Sequence, residues 1–224
     1  PSGGTFPCYV TIDQTGQHLL VGNYKSGSVA VLPIADDGRL GLASDVVQHE
    51  GSGVNENRQD GPHVHSVVVD QSGRHVFVTD LGIDKVLVYH FDSSGGKLTP
   101  AENSSVRVVA GAGPRHFAFH PQGRYAYLMN ELNNTLTVFS YDRSTGSLSE
   151  VQSVPALPSG FVDTSYAADV QILPSGAFLY TTNRGHDTIG VFAIDQDTGQ
   201  LTEVGYEPAG GAWPWNLAID PTSH

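Results

Sequence analysis

The chain has 224 residues, a formal net charge of −12 and no lysine or arginine cluster. This composition argues against a nucleic-acid partner while leaving room for a small anionic ligand held by a few local arginines. No apolar stretch is long enough to span a membrane. A single cysteine, Cys8, permits no internal disulfide, so a reducing, cytoplasmic setting is expected.

From the N-terminus, a pattern begins at Gly16 and returns three times: a turn glycine, an apolar run, then Asn or Asp seven residues on. The pairs are Gly16/Asn23, Gly73/Asp80, Gly123/Asn130 and Gly176/Asn183. Val29, Val86, Leu136 and Ile189 lie thirteen residues after their glycines, and Val31, Val88, Val138 and Val191 lie fifteen after. A second turn carries Gly then Leu: Gly38/Leu40, Gly96/Leu98, Gly146/Leu148 and Gly199/Leu201. Alternation with period two marks strands. In the second copy these are His65–Asp70, His75–Thr79, Lys85–Phe91 and an outer strand near Ser105–Val109. In the third they are Phe117–His120, Tyr125–Met129, Thr135–Tyr141 and an outer strand near Val151–Val154. No window has sustained helical spacing.

Four-stranded units of about fifty residues are propeller blades. An ordinary β-sandwich would not repeat four anchors at matching offsets. The expectation is an all-β chain, residues 1–224 forming a single β-propeller domain of about four blades plus one strand. That last strand, Pro214–Asp220, opens a fifth copy whose turn glycine is due at Pro221–His224. Because open arcs expose blade edges, the chain is expected to be an internal portion of a longer ring.

In such an array, like-numbered positions converge. Eight residues before each turn glycine stand Cys8, His65, Arg115 and Ala168, with Trp215 in the fifth slot; next come Tyr9, Ser66, His116, Asp169 and Asn216. One residue past the Asn/Asp anchor stand Tyr24, Leu81, Glu131 and Arg184. These strand ends meet at one blade edge, which predicts His65, Arg115, His116, Glu131, Asp169 and Arg184 around one channel mouth. Guanidinium forks suit carboxylates or phosphates, and a neighbouring His or Glu could activate water. Glu131 and Arg184 could equally form a simple ion pair. Asn23, Asp80, Asn130 and Asn183 recur in every copy, as expected of backbone-binding turn residues. A zinc reading of His63, His65 and His116 lacks a further ligand at familiar spacing, so neither metal nor cofactor is expected. Three glycine- or proline-rich loops, His49–Gly61, Gly111–Pro114 and Pro155–Ser165, break the repeat where binding groups usually sit.

Gly51-Ser52-Gly53, Arg58-Gln59 and Pro62-His63-Val64-His65 together resemble the signature of the seven-bladed-propeller lactonase family. That family includes cycloisomerase-2-type 6-phosphogluconolactonases and the fungal carboxy-cis,cis-muconate cyclase. Asp80-Leu81-Gly82-x-Asp84, Gly113-Pro114-Arg115-His116, Asn130-Glu131-Leu132 and Asn183-Arg184-Gly185-His186-Asp187 are similar to its later motifs, in order. The resemblance implies a channel-mouth cleft for a lactone or its open acid, lined by His63 or His65, Arg115, Glu131 and Arg184. With the column count, it gives His65, Glu131, Arg115 and Arg184 as catalytic candidates, and Arg58, His63, His116, Asp169 and His186 as substrate-binding ones. Pro214-Trp215 departs from the Pro-Arg common in the family's fifth unit. The implied function is hydrolysis of a sugar lactone, most simply 6-phosphogluconolactone, without nucleic-acid or membrane partners. Carboxymuconate lactonisation and a non-catalytic propeller scaffold are the alternatives.

Overall fold

Gly16, Gly73, Gly123 and Gly176 all adopt left-handed φ values of 63–75°, a region glycine enters without strain. Each amide donates to the carbonyl three residues earlier, on Asp13, Asp70, His120 and Leu173, at 2.7–3.0 Å. The chain is thereby turned back antiparallel. Asp13 and Asp70 reinforce their turns, their Oδ1 atoms accepting from the amides of Gln17 and His18 and of Arg74 and His75.

The computed structural model describes residues 1–220. Its strands form four consecutive four-stranded antiparallel meanders. The first contains β1 (Pro7–Ile12), β2 (His18–Asn23), β3 (Ser28–Pro33) and β4 (Asp45–Gln48). The second contains β5 (Val64–Val69), β6 (His75–Asp80), β7 (Lys85–Asp92) and β8 (Lys97–Arg107). The third contains β9 (Pro114–Phe119), β10 (Tyr125–Asn130), β11 (Thr135–Asp142) and β12 (Ser147–Pro155). The fourth contains β13 (Tyr166–Ile172), β14 (Phe178–Arg184), β15 (Thr188–Ile194) and β16 (Leu201–Pro208). These are the predicted blades, with outer strands longer than the sequence suggests. A single turn of 3-10 helix, Leu81–Ile83, is the one helical element among the described residues. No described helix is long and apolar enough to cross a membrane.

The segment read as a fifth inner strand, Pro214–Asp220, is irregular chain. A strand exists only through ladder hydrogen bonds, and no described strand pairs with it. Pro221–His224 lie outside the described residues.

The chain forms two compact units. The first comprises Pro1–Pro114 with Ser144–Gly146, and the second Arg115–Arg143 and the chain from Ser147 onward. The core of the first unit joins Leu20, Val29, Val31, Val64, Val67, Val76, Val78, Tyr89 and Phe91. The core of the second joins Tyr127, Met129, Leu136, Val138, Ala167, Val170, Leu179 and Phe192. The columns thirteen and fifteen residues past the glycine are buried in the first three meanders, whereas Ile189 and Val191 are half-buried.

A column eleven residues after each glycine had no role in the sequence reading. It holds Gly27, Asp84, Asn134 and Asp187, at φ 61, 53, 53 and 59°. Asp and Asn are among the few side-chain-bearing residues that tolerate this region, and here each uses its side chain to tie down an incoming loop. Asp84 accepts from the amides of Gly111 and Gly113 at 2.7 and 2.9 Å and from Gln59 Nε2 at 2.7 Å. Asn134 brackets the start of β13, donating to Ser165 O and accepting from Ala167 N. Asp187 accepts from Trp213 N at 2.7 Å.

Candidate active site

In the first, second and fourth meanders the inner strand carries a β-bulge near its start. Pairing slips between Pro7 and Tyr9, between Val64 and Ser66, and between Ala167 and Val170. A bulge sets two residues against one and re-aims a side chain. The extra residues include Cys8, His65 and Ala168, the column eight residues before the glycine. Where the ladder is interrupted, threonines on the neighbouring strand substitute for it: Thr79 Oγ1 accepts from Ser66 N, and Thr182 Oγ1 from Asp169 N.

Within the second unit, β9, β10, β13 and β14 bring five of the predicted residues together. Glu131, one residue past β10, places its Oε2 atom 2.9 Å from Arg115 Nε and 2.7 Å from Arg184 Nη2. All three side chains are no more than 5% exposed. Arg115 Nη1 also donates to Ala168 O at 2.5 Å and lies 3.2 Å from His116 Nε2. His116 Nδ1 is 2.6 Å from Asp169 Oδ1. The other carboxylate oxygen of Asp169 accepts from Asn216 Nδ2 at 2.6 Å and Leu217 N at 3.0 Å. Arg184 donates from Nε to Tyr166 O and from Nη2 to Ala167 O, while no described group accepts from its Nη1. The Trp215 ring lies over both guanidiniums, 4.4 Å from Arg184 Cζ and 5.7 Å from Arg115 Cζ. At the position where the sequence departs from the family's Pro-Arg, Trp215 supplies a cation–π cover.

The pattern of donors fixes the protonation state. A guanidinium can only donate, so His116 Nε2 faces Arg115 as an acceptor, and Nδ1 carries the proton toward Asp169. Burial is the main cause of the lowered His116 pKa, with Arg115 adding to it and Asp169 opposing. The ring is therefore neutral. Burial alone would raise the Asp169 carboxyl, but the hydrogen bond from His116, with those from the Leu217 and Val170 amides, outweighs it and holds the pKa below the ordinary value. Arg115 is drawn down to about 10 by burial, against the pull of Glu131, and stays charged at neutral pH. Two guanidiniums, two carboxylates and a neutral imidazole sum to zero, so the buried cluster carries no net charge to be solvated.

Of the remaining predicted residues, Arg58, His63 and His65 belong to the first unit and His186 to the second. In the first unit, His63 stacks on Tyr24 with centroids 4.6 Å apart and planes 10° apart, and His65 meets the same ring edge-on at 5.5 Å. His63 Nδ1 faces Tyr24 O at 3.1 Å, and its Nε2 faces Asp60 Oδ1 at 3.2 Å. Arg58 is half-buried in the loop after His49. Its motif neighbour Gln59 is fully buried, holding Leu81 O and Asp84. His186, in the second unit, bonds Thr188 Oγ1 and packs against Phe161 and Tyr206.

The Asn/Asp anchors are structural. Asp80 accepts from His63 N, Gly82 N and His49 Nδ1, Asn183 donates to Ala156 O, and Asn130 to Thr135 and Thr137. The strap of chain over the arginines was missed as a unit. Asp169 and Asp187 pin it at Leu217 and Trp213, and the signal available was the column of positive-φ residues ending in Asp187.

The model of the family described as Lactonase, 7-bladed beta-propeller, matches residues 1–224. A 6-phosphogluconolactonase of Bacillus subtilis is 40% identical over 219 residues, which are 98% of this chain and 61% of that protein. One from Erwinia tasmaniensis is 38% identical over 203 residues, 90% of this chain and 57% of its own. Among solved structures, the periplasmic gluconolactonase of Pseudomonas aeruginosa superposes with a TM-score of 0.90 at 36% identity, covering 97% of this chain and 61% of that one. The chain thus spans about three fifths of the length of the relatives it matches.

Proposed function

The chain belongs to the lactonase family of seven-bladed β-propellers, and from that we propose that it hydrolyses the lactone of a sugar acid, with 6-phosphogluconolactone as substrate. One observation carries this reading within the second unit: Arg115 and Arg184 share the Glu131 carboxylate, while the Nη1 group of Arg184 is left with no described acceptor. A buried guanidinium with donors to spare suits an oxyanion, either a substrate's acidic group or the oxygen that becomes negative when water adds to a lactone carbonyl. Glu131 holds the two cations in place. Trp215 excludes water from one side of them and offers an indole face to a sugar ring. Arg58, His63, His65 and His186 enter the reading as further contacts to the substrate, on their resemblance to the family's motifs. With Cys8 its single cysteine, the protein is taken as cytoplasmic.

The test is acid release from 6-phosphogluconolactone, followed with a pH indicator against the spontaneous rate, with gluconolactone in parallel. Acceleration that falls on Arg184→Ala supports the proposal. No acceleration of either lactone refutes it.

A further inference from the structure

We propose that His116 is the catalytic group that moves the proton in lactone hydrolysis and that Asp169 is the residue that positions it; this rests on the lactonase reading above. His116 stands on β9 with three charged groups around it: Arg115 from its own strand, Asp169 from β13 and Glu131 from the end of β10. Asp169 Oδ1 faces Nδ1 at 2.6 Å as an acceptor, and Arg115 Nη1 faces Nε2 at 3.2 Å as a donor. The result is a neutral imidazole with its lone pair on Nε2. Asp169 cannot swing away, because its second oxygen is held by Asn216 and Leu217.

The competing candidates are worse placed to accept a proton. Glu131 Oε2 already receives two charge-assisted hydrogen bonds, and protonation there would break both. The carboxylate beside His63, Asp60, is exposed and so fixes its tautomer less firmly than the buried Asp169 fixes that of His116.

The step balances as follows. A lactone carbonyl oxygen takes over the N–H that Arg115 now directs at His116, which frees the Nε2 lone pair. Nε2 removes a proton from water as the water oxygen bonds to the carbonyl carbon, and the π electrons move onto the carbonyl oxygen facing the arginines. When that intermediate collapses, the ring C–O bond breaks and the proton on Nε2 passes to the departing ring oxygen, which becomes a hydroxyl. The new carboxylic acid ionises to solvent, and His116 is neutral again.

The test compares the unaltered chain with His116→Gly, Asp169→Asn and the comparator His90→Ala, all acting on 6-phosphogluconolactone. General acid–base groups contribute about 100- to 10,000-fold. His116→Gly is expected to lose about 100-fold or more in kcat, and added imidazole should restore part of it by occupying the vacated space. Asp169→Asn should fall comparably without rescue, since its imidazole is present but in the wrong tautomer. His90→Ala, which removes an exposed histidine outside the site, should keep kcat and KM within about threefold of the unaltered chain. In the unaltered chain kcat/KM should rise through an acid limb below the ordinary histidine pKa of about 6.5. A second measurement needs no activity: the 15N spectrum of His116 at neutral pH should show the Nδ1–H tautomer. Full activity in His116→Gly, a loss that imidazole leaves unchanged, or an Nε2–H tautomer each overturn the proposal while the lactonase reading stands. An inactive unaltered chain removes both.

Discussion

Replacing Glu131 by glutamine changes no side-chain volume yet removes the one charge that two buried guanidiniums share. In the native chain Oε2 lies 2.9 Å from Arg115 Nε and 2.7 Å from Arg184 Nη2, with every partner at most 5% exposed. Removing one member of a buried ion pair costs about 3–5 kcal/mol, because the surviving charge is left desolvated and uncompensated. Here one carboxylate serves two cations, which then also repel each other, so the loss should lie in that range rather than at the ~0–1 kcal/mol of a surface pair. At about 1.4 kcal/mol per factor of ten, the folding equilibrium should shift by roughly two to three and a half powers of ten. Urea unfolding followed by tryptophan fluorescence is the suitable assay. The chain's two tryptophans, Trp213 and Trp215, both lie on the strap beside the cluster and so report the second unit. A second variant separates charge from shape: Glu131→Gln with Arg184→Met removes one cation as well and should recover part of the loss. A Glu131→Gln chain that loses less than about 1 kcal/mol at unchanged m would refute the reasoning, since the carboxylate would then be behaving as a solvated group.

Gly82→Ala should destabilise the first unit by about 1–3 kcal/mol, the range for forced overpacking. A Cβ there would stand 1.8 Å from Gly61 O and 2.9 Å from His63 N, both backbone atoms that cannot turn aside; an unchanged melting temperature would contradict this. At Asp84 the φ of 53° and the bonds to Gly111, Gly113 and Gln59 can be separated by two variants. Asp84→Gly loses only the bonds, whereas Asp84→Ala adds left-handed strain of about 1–2 kcal/mol, so thermal melts should rank Ala below Gly. Burial is the leading cause of the lowered pKa values of His75, His116 and His120. Below about pH 6.5 the unfolded chain therefore binds protons that the folded chain refuses, and stability must fall with pH through that window. Melting temperatures measured from pH 7.5 to 5.5 should decline, and a flat profile would count against it.

The fold was legible because its determinants are local and repeated. A left-handed glycine, a period-two apolar run and an Asn or Asp at the strand end each leave a mark at a fixed spacing, and four copies make that spacing readable. The meeting of Arg115, His116, Glu131, Asp169 and Arg184 was legible for the same reason. Their detailed roles were not, because a hydrogen bond depends on a bulge or a rotamer that spacing does not encode. Arg58-Gln59 and Asp80-Leu81-Gly82-x-Asp84 stand out in the sequence as a functional signature, yet Gln59, Asp80 and Asp84 spend their polar atoms holding loop backbone. Pro214–Asp220 shows the opposite error. Its pattern is that of a strand, but strand formation needs a partner's ladder, and local sequence cannot supply one.

The strap and the cluster depend on each other through Asp169. One oxygen of that carboxylate sets the His116 tautomer, and the other holds the chain at Asn216 and Leu217, next to the indole that covers Arg184. A displacement of the strap would therefore disturb the imidazole as well as uncover the guanidiniums. This coupling also accounts for a buried polar network that does little for stability in itself. Ion pairs removed from water roughly break even against apolar packing, so five titratable side chains from four strands are a costly way to fill a core. What they provide is a fixed geometry: cations pointed one way, a lone pair pointed beside them, and no net charge to draw water in. Such preorganisation is the property that charge-stabilising catalysis requires, and apolar packing of the same volume could not supply it.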